Sequence, residues 1–171
     1  MSQEPMTLYK LIVLYMLDRV SFPLTRAQID NFILEKEYTN YLTLQQAIGE
    51  LYDINLLSTR TIHNRTQLML TDEGHTTLDF FRNNIPEAIK EEIDVYLKEN
   101  SIALRNEVSV TGQYYKTTGG SYQATLTAME RGEVLMELKL NIPDEKTASA
   151  VCDHWQKKNE DIYAMLMKEL F

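Results

Sequence analysis

Two groups of side chains in this sequence combine residue type and spacing in a way that suits recognition chemistry. Gln45 and Gln46 are adjacent amides, each able to donate and accept at once, as the major-groove edge of adenine requires. Arg60, His63 and Arg65 fall close together and could contact phosphates or enter a minor groove. Tyr41 and Thr43, just ahead of the glutamines, carry hydroxyls that can reach a phosphate oxygen, and Gly49 shares their outward side. Enzymatic constellations are weaker. Thr118-Gly119-Gly120-Ser121 lacks the Gly-Lys-Ser/Thr ending of a phosphate loop and is expected to be a hairpin turn. Ser121 is followed by Tyr122-Gln123, which is no nucleophile elbow. His63, His75 and His154 fall in different elements without i, i+4 pairing, so neither a metal nor a cofactor is expected. Cys152 lies on an apolar stripe and reads as a packing residue, while Glu91-Glu92 marks a wet helix face. No catalytic residue, and no enzyme, is expected.

Positioning the glutamines and arginines falls to a run of short elements. Leu8, Leu11, Ile12, Tyr15 and Met16 recur at helical spacing behind Thr7, predicting an amphipathic helix to about Val20. Ser21-Phe22-Pro23-Leu24 breaks it, and Thr25 can cap a second helix carrying Ile29, Phe32 and Ile33. Residues 38–42 read as a connection, and Thr43 can cap a third helix with Leu44, Ala47, Ile48 and Leu51 inward. That leaves Gln45, Gln46, Gly49, Glu50 and Asp53 outward. From Leu57 the β-branched run to Ile62, a turn over residues 63–66 and Gln67 to Leu70 predict a two-stranded hairpin. Thr71 then caps a fourth helix, in which Gly74 marks a tight packing position.

The second half opens at Pro86 with a helix to about Asn100, buried through Ile89, Ile93 and Leu97. An antiparallel meander over roughly 104–141 follows, its clearest period-two run being Val134, Met136, Leu138 and Leu140. Asp144 can cap a helix bearing Ala148, Val151, Cys152 and Trp155, and Asn159 can cap a last one with Ile162, Tyr163, Leu166 and Leu170. Tyr114, Tyr115 and Tyr122, beside the Trp155 helix, could line a small pocket, although packing is the commoner use of such aromatics. The apolar excess of the final helix, including Met165, Met167 and Phe171, hints at a partner helix. The fold class expected is α+β: a winged helix-turn-helix domain over residues 1–84, then a C-terminal module over 85–171 made of a three-stranded antiparallel sheet flanked by helices.

Composition bounds the function. With 171 residues, of which 44% are hydrophobic and 25% charged, the chain can bury a core without disulfide or metal staples. One cysteine excludes an internal disulfide and suits a reducing interior. The apolar run Leu11 to Leu17 is too short to span a bilayer and has no basic leader, so a cytoplasmic protein without membrane contact is expected. Against 17 Lys and Arg stand 25 Asp and Glu, a net charge of −8, which argues against broad, non-specific attachment to nucleic acid or anionic lipid.

The phrase Ala47-Ile48-Gly49-Glu50-Leu51-Tyr52-Asp53-Ile54-Asn55-Leu56-Leu57, followed by a hairpin and Leu70-Thr71-Asp72-Glu73-Gly74, resembles the pattern of MarR-like and PadR-like bacterial regulators. Over its whole length, from Thr7-Leu8-Tyr9-Lys10-Leu11-Ile12-Val13-Leu14-Tyr15-Met16-Leu17 to Ile162-Tyr163, the chain is similar to the bacterial domain-of-unknown-function family 4364. The resemblance implies a winged-helix fold and a role in transcription regulation. It brings no ligand, operator or catalytic residue with it. The expectation is a homodimer binding duplex DNA through Tyr41, Thr43, Gln45, Gln46, Gly49, Arg60, His63 and Arg65. The alternative is a winged-helix module that contacts another protein and never touches DNA.

Overall fold

Seven consecutive residues of the first helix, Leu11 to Leu17, are buried, so this helix is wrapped by protein on every side rather than along the single stripe expected for it. The computed structural model describes residues 4–62, 65–130 and 133–171. Helix α1 (Pro5–Asp18) starts on a proline, whose fixed φ suits a first helical position, rather than behind Thr7. Strand β1 (Leu24–Thr25) leads into α2 (Arg26–Glu35), where Thr25 and Gln28 form a reciprocal capping box. The amide of Gln28 also reaches the carbonyl of Leu104 at 3.1 Å. Helix α3 (Tyr41–Asp53) is capped by Asn40, not Thr43: the Thr43 amide donates to Asn40 Oδ1 at 2.9 Å, so residues 41–42 are helical rather than connecting.

Strands β2 (Leu57–Ile62) and β3 (Arg65–Leu70) form the expected hairpin, but the sheet has three strands, in the order β1-β3-β2. Leu24 pairs with Leu68 and Thr25 with Gln67, all on an antiparallel register. A strand of two residues is too short to display alternation, which is why the sequence read only as a break there. Helix α4 (Asp72–Phe81) is capped by Thr71, whose hydroxyl accepts from the Gly74 amide and donates to the carbonyl of Asn55. A short 3-10 turn (Arg82–Asn84) precedes α5 (Glu87–Ser109), which continues past Asn100. There the Asn100 side chain bonds back to the carbonyl of Tyr96 at 2.8 Å and so stays within the helix instead of stopping it.

The chain divides into two units, Met1–Arg105 and Asn106–Phe171, a boundary well beyond residue 84. The reason is that α5 contributes Ile93, Leu97 and Leu104 to the same apolar cluster as α1, α2, α3 and the first sheet. The second unit holds β4 (Val110–Lys116), β5 (Tyr122–Glu130), β6 (Glu133–Ile142) and α6 (Glu145–Leu170). Its sheet is antiparallel in the order β4-β5-β6. The Thr117 amide bonds the Ser121 carbonyl and Gly120 adopts φ of 85°, so the Gly-Gly segment is a hairpin turn. The next turn, at Arg131-Gly132, lies outside the described residues. Helix α6 is continuous where two helices were expected, because Asn159 donates to the carbonyls of Trp155 and Gln156 from mid-helix rather than capping a new one. It lies over β4 and β5, burying Ala148, Cys152 and Trp155 against Val110, Ala124 and Leu126. Tyr114 and Tyr122 join this cluster edge to face at 6.1 Å, while Tyr115 is exposed on the other face of the sheet.

Candidate nucleic-acid interface

Helix α3 turns Leu44, Ala47, Ile48 and Leu51 into the core, which fixes its opposite side as the outward face. On that face Tyr41 and Gln46 are exposed, Thr43 and Gln45 half-buried, and Gly49 has open space where a side chain would stand. The two amides are already engaged within the chain. Gln45 Nε2 donates to Asp30 Oδ1 at 3.0 Å, and Gln46 Nε2 donates to Glu50 Oε1 at 2.8 Å. Burial raises the Asp30 carboxyl above its ordinary range, against the lowering effects of Gln45 and the Arg26 charge. Glu50 is held below its usual range by hydrogen bonds from Lys10, at 2.5 Å, and from Gln46. Asp53 is exposed on the last turn. Sequence reading missed Asp30 and Lys10 because they reach α3 from other helices. Arg26 Nε is buried without a hydrogen-bond partner among the described residues, its charge offset by Asp30 one turn along α2.

The hairpin places Arg60 opposite Gln67 and Arg65 opposite Ile62, so the two arginines share one sheet face as diagonal neighbours. Their situations differ. Arg60 Nε donates to Gln67 Oε1 at 3.0 Å, and Gln67 is only 2% exposed. Arg65 is exposed and pairs with no acidic side chain among the described residues. His63 lies outside the described residues. Replacing Arg60 by alanine should therefore cost about 1–2 kcal/mol of stability, because the buried Gln67 oxygen loses its donor, whereas Arg65→Ala should stay within about 0.5 kcal/mol of the parent. Urea midpoints read the difference, and equal effects would show that Arg60 acts as a free surface cation.

Elsewhere, His75 Nδ1 lies 3.1 Å from Asp18, which also holds Arg82 at 2.7 Å, and His154 is exposed on α6. Among the described residues no group of three His, Cys, Asp or Glu could hold a metal ion, and no helix is long and apolar enough to cross a membrane. A shallow groove of about 650 Å³ between α2 and α5 is floored by Phe32 and Tyr96 and rimmed by Glu35, Glu91, Glu92, Glu99 and Lys36, the lysine paired with Glu92, a lining whose net negative charge disfavours phosphate. Tyr38 donates to Glu92 beside it.

These elements define an α+β protein of two units, each built on a three-stranded antiparallel sheet, with an outward helix and a hairpin arginine as the first unit's polar surface. The chain belongs to the family described as Domain of unknown function (DUF4364), whose model matches residues 9–170 and so spans both units. No curated protein and no solved structure matches it.

Proposed function

We propose that the chain is a winged-helix transcription regulator that binds duplex DNA as a homodimer. The observation that carries this reading is β1: this two-residue strand, in the connection from α1 to α2, closes the hairpin into the order β1-β3-β2, the arrangement that anchors a wing beside a helix-turn-helix. In such a fold the N-terminal part of the second helix of the pair enters the major groove, and here that part carries Tyr41, Thr43, Gln45 and Gln46. Arg65 on the hairpin supplies a phosphate contact. The engaged glutamines set the energetics. Releasing each from its carboxylate costs about 1 kcal/mol, and a bidentate adenine contact returns about 1–3 kcal/mol, so the net sequence discrimination is modest and falls mainly on the exposed Gln46.

A second reading, contact with a protein partner, draws on the same face: Glu50 and Asp53 are acidic, and Tyr41, Leu42, Tyr52 and Ile54 are exposed, Leu42 at 78%. Fluorescence anisotropy with the duplex upstream of the chain's own gene, begun at low ionic strength, separates the two. Under the DNA reading, Arg65→Ala weakens binding to all sequences alike and reduces the salt slope by about one. Gln46→Ala costs affinity on the preferred site only, and Glu50→Gln tightens binding by removing a repelled charge and freeing Lys10. Absence of duplex binding at low salt, or an Arg65→Ala variant that binds as the parent does, overturns it in favour of the protein partner.

A further inference from the structure

The sheet order leaves β6 at an edge, so one side of its backbone pairs with no strand among the described residues. It is also longer than either β4 or β5. Since α6 lies mainly over β4 and β5, the apolar side chains that β6 turns toward the helix are incompletely covered: Met136 and Leu138 are half-buried and Leu140 is exposed. Two of the devices that usually block an edge, a proline and a bulge, are missing from residues 136–142. There is no proline, and the one register irregularity falls earlier, where Met136 and Val134 pair with consecutive β5 residues and Leu135 is passed over. The charges in this stretch are Glu137 and Lys139, side by side on the face away from α6 and 3.4 Å apart.

We propose that β6 pairs antiparallel with β6 of a second copy of this chain, about a two-fold axis at Leu138, joining two three-stranded sheets into one of six strands. In that register Leu138 stands opposite its own copy on the axis, while Met136 stands opposite Leu140 and Glu137 opposite Lys139, these last two pairs each occurring twice by symmetry. One face of the joint is then continuously apolar and the other carries two pairs of opposite charge. Moving the axis by one residue sets Glu137 against itself, or Lys139 against itself, and like charges directly opposite are destabilising, so the charge pattern selects the register. Both side chains are largely exposed, so turning them from each other to the second copy gives up little. The inference rests on the homodimer of the reading above and deepens it by naming the surface.

Sedimentation velocity on the full chain without DNA tests it. The parent is expected to approach twice the 19.9 kDa chain mass across the micromolar range. Glu137→Lys and Lys139→Glu should each raise the dimer dissociation constant about tenfold, because each puts two like-charge pairs at the joint, and the double exchange should restore it. Under mild oxidation L138C should form an interchain disulfide, since directly opposed residues lie within disulfide range, and L140C should not; the parent, whose one thiol is Cys152, sets the baseline. A chain that stays at 19.9 kDa overturns both this surface and the homodimer. A dimer indifferent to the charge reversals, or one linked as readily by L140C, overturns the surface alone and leaves the homodimer standing. Neither outcome touches duplex binding.

Discussion

Trp155→Ala is expected to unfold the second unit while the first stays folded. Trp155 is 1% exposed and is the one large aromatic among the buried residues of that unit, whose other members include Ala124, Ala148 and Cys152. Truncating a buried tryptophan to alanine costs about 3–5 kcal/mol, and the indole N–H that reaches the Thr127 carbonyl at 3.3 Å is lost as well. A unit as small as Asn106–Phe171 has a stability of the same order, about 5 kcal/mol, so the substitution removes most of it. In the parent, fluorescence of the only tryptophan reports this unit, and far-ultraviolet circular dichroism reports both. The alanine variant should lose part of the dichroism before denaturant is added and keep one cooperative transition for the remainder. Trp155→Phe, which keeps most of the ring and loses the hydrogen bond, should cost far less. An alanine variant with two intact transitions would show that the sheet is held by its ladder and its turns rather than by this side chain.

Gly74→Ala should be the most damaging single methyl group in the first unit. A Cβ at this position would stand 2.2 Å from the carbonyl oxygen of Leu56 and 3.1 Å from a methyl of Leu70. That carbonyl cannot swing aside freely, because it accepts from the Thr71 amide at 3.2 Å, next to the cap of α4. Glycine to alanine inside a helix normally gains up to about 1 kcal/mol, and here the clash reverses the sign, to a loss of about 3 kcal/mol. Gly49 provides the control. It lies inside α3 with nothing within 4 Å of an added Cβ, so the same substitution should stabilise the chain by about 0.5–1 kcal/mol. Urea denaturation of the two variants beside the parent checks the pair, and shifts of the same sign would refute the packing argument.

The contrast between those glycines marks how far the chain could be read from its residues. Gly74 was legible as a tight position because it follows a Thr cap and interrupts a helical stripe. The caps at Thr25, Thr71 and Asp144 were legible too, since each is settled within three residues along the chain. Two cap readings failed: at α3 two nearby residues compete for one cap and Asn40 takes it ahead of Thr43, and in α6 Asn159 caps nothing but bonds backwards and lets the helix run on. Strand β1 and the extension of α5 were hidden for a different reason. Their existence depends on Leu68, Gln67 and the core around Leu104, partners that local periodicity does not contain. The candidate site divides in the same way. Which side of α3 faces outward followed from its apolar spacing. That Asp30, Lys10 and Gln67 would claim Gln45, Glu50 and Arg60 did not, because those partners arrive from other elements or across the strand ladder.

The sole thiol has a practical consequence for anyone labelling the protein. Cys152 is buried with its Cβ side against Gly112, and burial, aided by the Asp153 charge, raises its pKa, so little thiolate is offered to a reagent at neutral pH. The wild-type sequence therefore behaves toward maleimides and spin labels much as a cysteine-free background would. A probe can be attached at an introduced cysteine on the hairpin, on α3 or on β6 without first mutating a core position. Reaction of Cys152 itself then becomes a clock for opening of the second unit, readable in the same sample as the probe.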